Sequence, residues 1–136
     1  MASYQYEMSA TIDAMSGFDA WSEAAMCEHP DLPASAVNVL LVCLQELICN
    51  IVSYATRDDR PSTVKVEVQI GAEEISVLLE DDGPPFDPLA AEPRPAETDL
   101  ASASLGGRGL LIVRSMTRSV SYQRSGEWNR LRLEIT

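Results

Sequence analysis

Glu80-Asp81-Asp82-Gly83-Pro84-Pro85-Phe86-Asp87-Pro88 follows directly on an apolar run, Ile75-Ser76-Val77-Leu78-Leu79. Three consecutive carboxylates, Glu80, Asp81 and Asp82, followed by a glycine and prolines, therefore close a strand-like segment and set polar groups at the rim of a core. Side chains alternate along a strand, so Ile75, Val77 and Leu79 share one side. Asp81 continues their parity and points toward the core's rim, whereas Asp82 points the other way, toward solvent. An inward carboxylate needs a donor, and a ligand amino group can supply it. Gly83 lets backbone come close to that ligand. Phe86 packs the start of the loop that follows. Taken alone, the same residues also read as ordinary Asp-Asp-Gly-Pro turn chemistry.

The segments on either side supply the frame. Val64, Val66, Val68 and Ile70 alternate with Lys65, Glu67 and Gln69. Gly71-Ala72-Glu73-Glu74 turns the chain and residues 75–80 return, which makes a hairpin. Upstream, Tyr4, Tyr6, Met8, Ala10 and Ile12 alternate with polar residues and predict a half-buried strand over 4–12. Ser16 and Asp19 have capping-box spacing; Phe18, Trp21 and Ala25 then recur at helical spacing until Pro30. His29, the single histidine, reads as a solvated group at that helix's C-terminal end. A second helix is expected from about Pro33 to Arg57. Its buried stripe is read as Val37, Leu41, Leu44, Ile48, Ile51 and Ala55, widened by Leu40, Leu47 and Val52.

From Pro84 to about Leu105 no periodicity survives, and a loop of that length in a compact domain is functional or disordered. Gly106-Gly107-Arg108-Gly109 opens a short helix over 110–116. Val120 and Tyr122, then Leu131, Leu133 and Ile135, form a closing hairpin around Ser125-Gly126-Glu127. The order is strand, two helices, two strands, long loop, helix, two strands. It predicts one α+β domain over 1–136, a two-layer sandwich of a mixed, mostly antiparallel sheet with helices on one face.

Composition narrows the chemistry. The net charge is −11, from 21 acidic and 10 basic residues, which disfavours direct nucleic-acid binding and anionic membranes. No apolar stretch is read as long enough to span a membrane, and the N-terminus shows no basic, apolar leader. Lys65 is the only lysine, so phosphate chemistry must use arginine, backbone N–H groups or a metal. Three cysteines cannot all pair within the chain and none has zinc-site spacing, so a reducing, cytoplasmic location is expected.

Two further groups carry chemistry. Glu46 and Asn50, four apart, lie on one helix face beside the apolar stripe. A carboxylate beside a carboxamide oxygen can hold a divalent cation or activate a hydroxyl, although the spacing alone favours two solvated polar residues. Gly107 and Gly109 before a helix, with Arg108 between them, make an anion site or a glycine hinge. No Lys-Ser/Thr follows, so this is not a Walker A loop.

The order of these groups resembles that of the GHKL, or Bergerat-fold, ATPases. It looks closest to the stand-alone anti-sigma-factor serine/threonine kinases. Their Glu, Asn-four-on motif reads Glu46-Leu47-Ile48-Cys49-Asn50; their Asp-x-Gly motif, extended to Pro-Pro-Phe-Asp-Pro, fits residues 81–88 throughout; their Gly-x-Gly-Leu motif reads Gly107-Arg108-Gly109-Leu110. The resemblance implies that Asn50 ligates Mg²⁺ bridging the phosphates of ATP, and that Glu46 is the general base on an attacking hydroxyl. Asp81 would accept the adenine amino group, and Gly83 would let the ring pack. Gly107 and Gly109 would cradle phosphates, with Leu110 completing the motif and Arg108 on the γ-phosphate. Residues 84–105 would be the ATP lid, and Asn129 would lie near the adenine. Ile51 stands where the family has alanine, Tyr54 where it often has histidine, and Pro85 where wider members have a second glycine.

The implied activity is ATP-dependent serine/threonine phosphorylation of a STAS-type anti-anti-sigma protein by a homodimeric anti-sigma factor that also sequesters a sigma factor. Ile51 and Tyr54 keep a second reading open: a non-catalytic, nucleotide-dependent binding module that sequesters a regulatory partner. A detached histidine-kinase catalytic domain ranks last, because His29-Pro30 does not resemble a phosphoacceptor site.

Overall fold

The computed structural model describes residues 2–54, 60–89 and 113–135. Their elements run β1 (Ala2–Ser9), α1 (Met15–Cys27), α2 (Ala34–Tyr54), β2 (Thr63–Ile70), β3 (Ile75–Asp81), β4 (Ser119–Ser125) and β5 (Trp128–Glu134). The strands form one sheet in the order β1-β2-β3-β5-β4, and every pairing among them is antiparallel. After β3 the chain returns at the far edge as β4, and the β4–β5 hairpin brings β5 back beside β3. The end of β3 thereby meets the start of β5, with Asp81 opposite Asn129 in the ladder.

Alternation along the strands builds the two layers. Burial along β3 alternates without a break, and Ile75, Val77 and Leu79 join Val64, Val66, Val68 and Ile70 beneath the helices. Leu131, Leu133 and Ile135 extend this face. The opposite face is polar: Lys65 sits 4.7 Å over the Trp128 ring, and Glu80 lies 3.1 Å from Arg130 Nε in a charge contact without hydrogen-bond alignment.

Helix α2 is rotated relative to expectation. Its buried face is centred on Leu40, Cys43, Leu44 and Ile48, all at 0% exposure, with Leu47 beside them. Val37, Leu41 and Ile51, expected at the centre, are half-buried flanks. Apolar residues nearly encircle the helix's first half, so hydrophobicity alone does not fix the angle, and packing on the sheet does. The rotation carries Asn50 into the buried face, at 7% exposure. Residues Ala34–Ser53, with mean hydropathy 1.8, are also long and apolar enough to cross a membrane by length and composition. This corrects the expectation that no apolar stretch is long enough to span a membrane. Here the helix's most apolar side is core.

Helix α1 lacks the expected capping box. Its N-cap is Ala14, with no side-chain cap bond, and Ser16 Oγ donates to the Asp13 carbonyl instead. Thr11 closes the preceding turn, its carbonyl and Oγ1 both accepting from the Ala14 N–H. The strand stops at Ser9 rather than residue 12, and Ile12 is 80% exposed in that turn. The helix docks on β1 through Tyr6, stacked on Trp21 at 5.1 Å and tilted against Phe18. A Cβ at Gly17 would come within 2.8 Å of the Tyr6 hydroxyl, so this close approach uses a glycine. His29 is not simply solvated. Its Nε2 lies 2.6 Å from the Tyr4 hydroxyl, which donates to Glu28 and fastens the end of α1 to the edge strand.

Candidate functional site

Where β3 and β5 meet below the C-terminal half of α2, a pocket opens whose enclosed cavity is about 40 Å³, continuous with solvent at its mouth. Its wall is mostly apolar, formed by Leu47, Ile51, Leu79, Phe86, Pro88 and Leu131. The polar groups are Asn50, Asp81, Tyr122 and Asn129.

Asp81 is placed as its parity requires, inward and 4% exposed. Its donor is Asn129, whose Nδ2 lies 3.0 and 3.1 Å from the two carboxylate oxygens. Burial raises its pKa; the Asn129 hydrogen bond and the Arg124 charge pull it back, and Asp82 pushes it up again. A carboxylate offers about four lone-pair sites. One shared amide hydrogen leaves Asp81 able to accept from a donor in the pocket. Asp82, expected in solvent, is 8% exposed. Its carboxylate accepts from the Thr63 N–H at 2.7 Å and from Arg60 at 2.8 Å. Arg60 and Thr63 bracket the start of β2, so Asp82 stitches that start to the end of β3.

Asn50 enters from the opposite wall. Its Nδ2 is buried with no hydrogen-bond partner among the described residues. An orphaned buried polar group costs about 1–3 kcal/mol, a cost borne where a ligand completes the site. The two ends of an amide are told apart by their partners, so this one can present its oxygen to the pocket. That oxygen suits Mg²⁺, which is held by few protein ligands together with phosphates and water. No cluster of three His, Cys, Asp or Glu residues able to hold a metal occurs among the described residues, so Asn50 and a ligand's phosphates would share the task.

Glu46, one turn earlier, is half-buried and lies outside the pocket lining. Burial, and then its charge, push the Cys43 thiol up to about 11 and raise Cys49 as well. Gly83 is buried, and its carbonyl accepts from Arg124 at 2.9 Å. Gly126 is the only positive-φ glycine among the described residues, so Gly83 does not serve a left-handed turn. Ile51 lines the pocket, a bulkier wall than alanine would give. Arg108, Gly107, Gly109 and Leu110, and the lid beyond residue 89, lie outside the described residues, as does the Tyr54 side chain.

Three contributors escaped the sequence reading. Phe86, expected only to pack the loop root, lines the pocket and is 39% exposed. Tyr122 donates to Asn129 Oδ1 at 2.6 Å, and Arg124 grips Gly83. The signal was parity: Arg124 shares the face of Val120 and Tyr122, and Asn129 continues Leu131, Leu133 and Ile135 inward, as Asp81 continues its own strand.

Residues 8–135 match the family model for the histidine kinase-like ATPase domain. The chain belongs to that family. A histidine kinase-like ATPase domain implies ATP binding. Over 94 residues the chain is 34% identical to the serine/threonine-protein kinase BtrW of Bordetella bronchiseptica, covering 69% of this chain and 66%, just under two thirds, of that protein. Among solved structures it resembles the blue-light activated histidine kinase of Erythrobacter litoralis, with a TM-score of 0.56, 20% identity, and coverage of 77% of this chain and 31% of that one. The histidine kinase domain of the same enzyme gives a TM-score of 0.52 at 22% identity, over 76% of this chain and 46% of that one. At these identities the likeness is one of fold, and the fold is that of the histidine kinase ATPase domain.

Proposed function

We propose that the protein is an ATP-dependent serine/threonine protein kinase of the anti-sigma-factor type, acting on a STAS-type anti-anti-sigma partner. The carrying observation is one pocket that unites a buried acceptor, Asp81, with a buried amide, Asn50, whose Nδ2 has no hydrogen-bond partner among the described residues. Similarity to a serine/threonine-protein kinase supports the choice of acceptor. Asp81 accepts the adenine amino group, and the apolar wall packs the ring. Asn50 holds Mg²⁺ through its amide oxygen, and the bound ion supplies charge neutralisation on the phosphates. Gly107, Gly109 and Leu110 bind phosphate oxygens, with Arg108 at the γ-phosphate. In the transfer, the acceptor oxygen bonds to the γ-phosphorus as the bond to the β-phosphate oxygen breaks, and Glu46 takes the hydroxyl proton. The protein acts in the cytoplasm as a homodimer and also sequesters a sigma factor.

Transfer of labelled γ-phosphate to a cognate STAS protein tests the proposal. Wild type should label it, and Asn50→Ala should lose at least about a hundredfold, as expected when transition-state charge stabilisation is removed. No transfer from wild type, or equal transfer from the variant, sinks the kinase reading.

The position of Glu46 outside the pocket lining favours one alternative, a nucleotide-dependent binding module without phosphoryl transfer. Under that alternative, nucleotide-dependent capture of the partner survives Glu46→Gln and no phosphoprotein forms.

A further inference from the structure

A carboxamide has two N–H hydrogens and two lone pairs on oxygen. In Asn129, 7% exposed, all are in use. Nδ2 spans both oxygens of Asp81 and reaches the Pro84 carbonyl at 2.9 Å. Oδ1 accepts from the Tyr122 hydroxyl at 2.6 Å and from the Phe86 N–H at 3.2 Å. No hydrogen-bonding capacity remains for a ligand. We infer that Asn129 is a positioning residue that reads no ligand itself: it sets the orientation of Asp81 and pins residues 84–86 beside it, so that base selectivity and the order of the loop root depend on one amide.

Three features make this more than a packing contact. The bifurcated bond to Asp81 fixes the carboxylate plane, and with it the lone pairs left for the pocket. The same amide plane carries the Pro84 and Phe86 bonds, so the amide cannot turn without disturbing both. The Arg124 bond to the Gly83 carbonyl is independent of Asn129, and it holds the segment's first residue while Asn129 holds the next ones. Phe86 is thereby placed as pocket wall by a side chain 43 residues downstream. Tyr122 in turn fixes which end of the Asn129 amide faces Asp81, because a hydroxyl whose hydrogen is directed at Oδ1 leaves Nδ2 for the carboxylate.

The inference rests on reading the pocket as an adenine-nucleotide site, and the test separates the two. Affinities for ATP and for inosine triphosphate, which carries a carbonyl oxygen in place of the amino group, are measured by calorimetry on wild type, Asn129→Ala and Tyr122→Phe. Exchange of the Phe86 amide hydrogen is followed by NMR on the nucleotide-free proteins, with Val66 and Leu79 as reference amides. In Asn129→Ala the preference for ATP over inosine triphosphate should fall about tenfold, and Phe86 exchange should quicken by about as much, the effect of losing one net hydrogen bond. Tyr122→Phe, which deletes one hydroxyl near the protein's rim, should move both readouts the same way by about threefold, and it serves if the alanine variant does not fold. A purely structural role would weaken both nucleotides alike and leave their ratio unchanged, and an unchanged ratio overturns the inference. A wild type that shows no preference for ATP overturns the adenine reading itself, and the inference with it.

Discussion

Asp81 and Asp82 are neighbours in sequence and both buried, yet they hold on to different things. Among the described residues Asp81 accepts only from an amide, Asn129, at the pocket wall. Asp82 meets a guanidinium and a backbone N–H, Arg60 and Thr63, at the base of the sheet. The first is left with acceptor capacity for a ligand, and the second is committed to the fold.

For Asp81 this difference gives a pH signature. Its pKa is raised by burial above the ordinary carboxyl value of 3.8, so the folded protein keeps a proton that the unfolded chain releases. Stability from this group is therefore present in full below the unfolded value and is lost as pH rises through the raised folded value. Asn129, Arg124 and Asp82 modulate the shift without reversing it. The unfolding free energy of wild type minus that of Asp81→Asn, measured by urea titration across this acid range, should fall with rising pH. A difference that rises with pH contradicts the burial of this carboxyl.

For Asp82 the expected loss is structural. Asp82→Ala leaves the Thr63 N–H and Arg60 without their carboxylate and should lower stability by about 2 kcal/mol, within the range for charged hydrogen bonds. The reading is a shifted urea midpoint with an unchanged slope. An unchanged midpoint would show that the carboxylate does not stitch β2 to β3.

The three cysteines should separate by reactivity. Cys43 is buried and its thiol is pushed up to about 11, and Cys49 is raised as well. Cys27 is exposed. Since the thiolate is the reacting form, a thiol reagent at neutral pH should label Cys27 quickly and Cys43 only after unfolding. Rapid labelling of Cys43 in the folded protein contradicts the orientation assigned to α2.

That orientation has an energetic consequence too. Leu44 is fully buried on the sheet side, so Leu44→Ala should cost about 2–5 kcal/mol. Leu41, half-buried on the flank, should cost clearly less on the same change. Equal losses would restore the stripe read from the sequence.

Strand parity was readable because its period is short and the core is one-sided. Ile75, Val77 and Leu79 aimed Asp81 correctly, and the same logic applied to Leu131 and Leu133 would have aimed Asn129. Helix azimuth was not readable, because Val37 to Cys43 is apolar on most sides and only the sheet selects the buried one. Asp82 was misread for a related reason: its partners, Arg60 and Thr63, lie 22 and 19 residues away, and no local pattern announces them. Phe86 likewise needed the fold, since its place in the wall depends on Asn129.

Calorimetric titration of ATP with Mg²⁺ into wild type and Asp81→Asn tests the nucleotide site most directly. Wild type should bind one ATP per chain, and Asp81→Asn should bind at least about tenfold more weakly, because an amide placed at the same point loses the charged acceptor. Failure of wild type to bind, or equal binding by the variant, would contradict the assignment of this pocket.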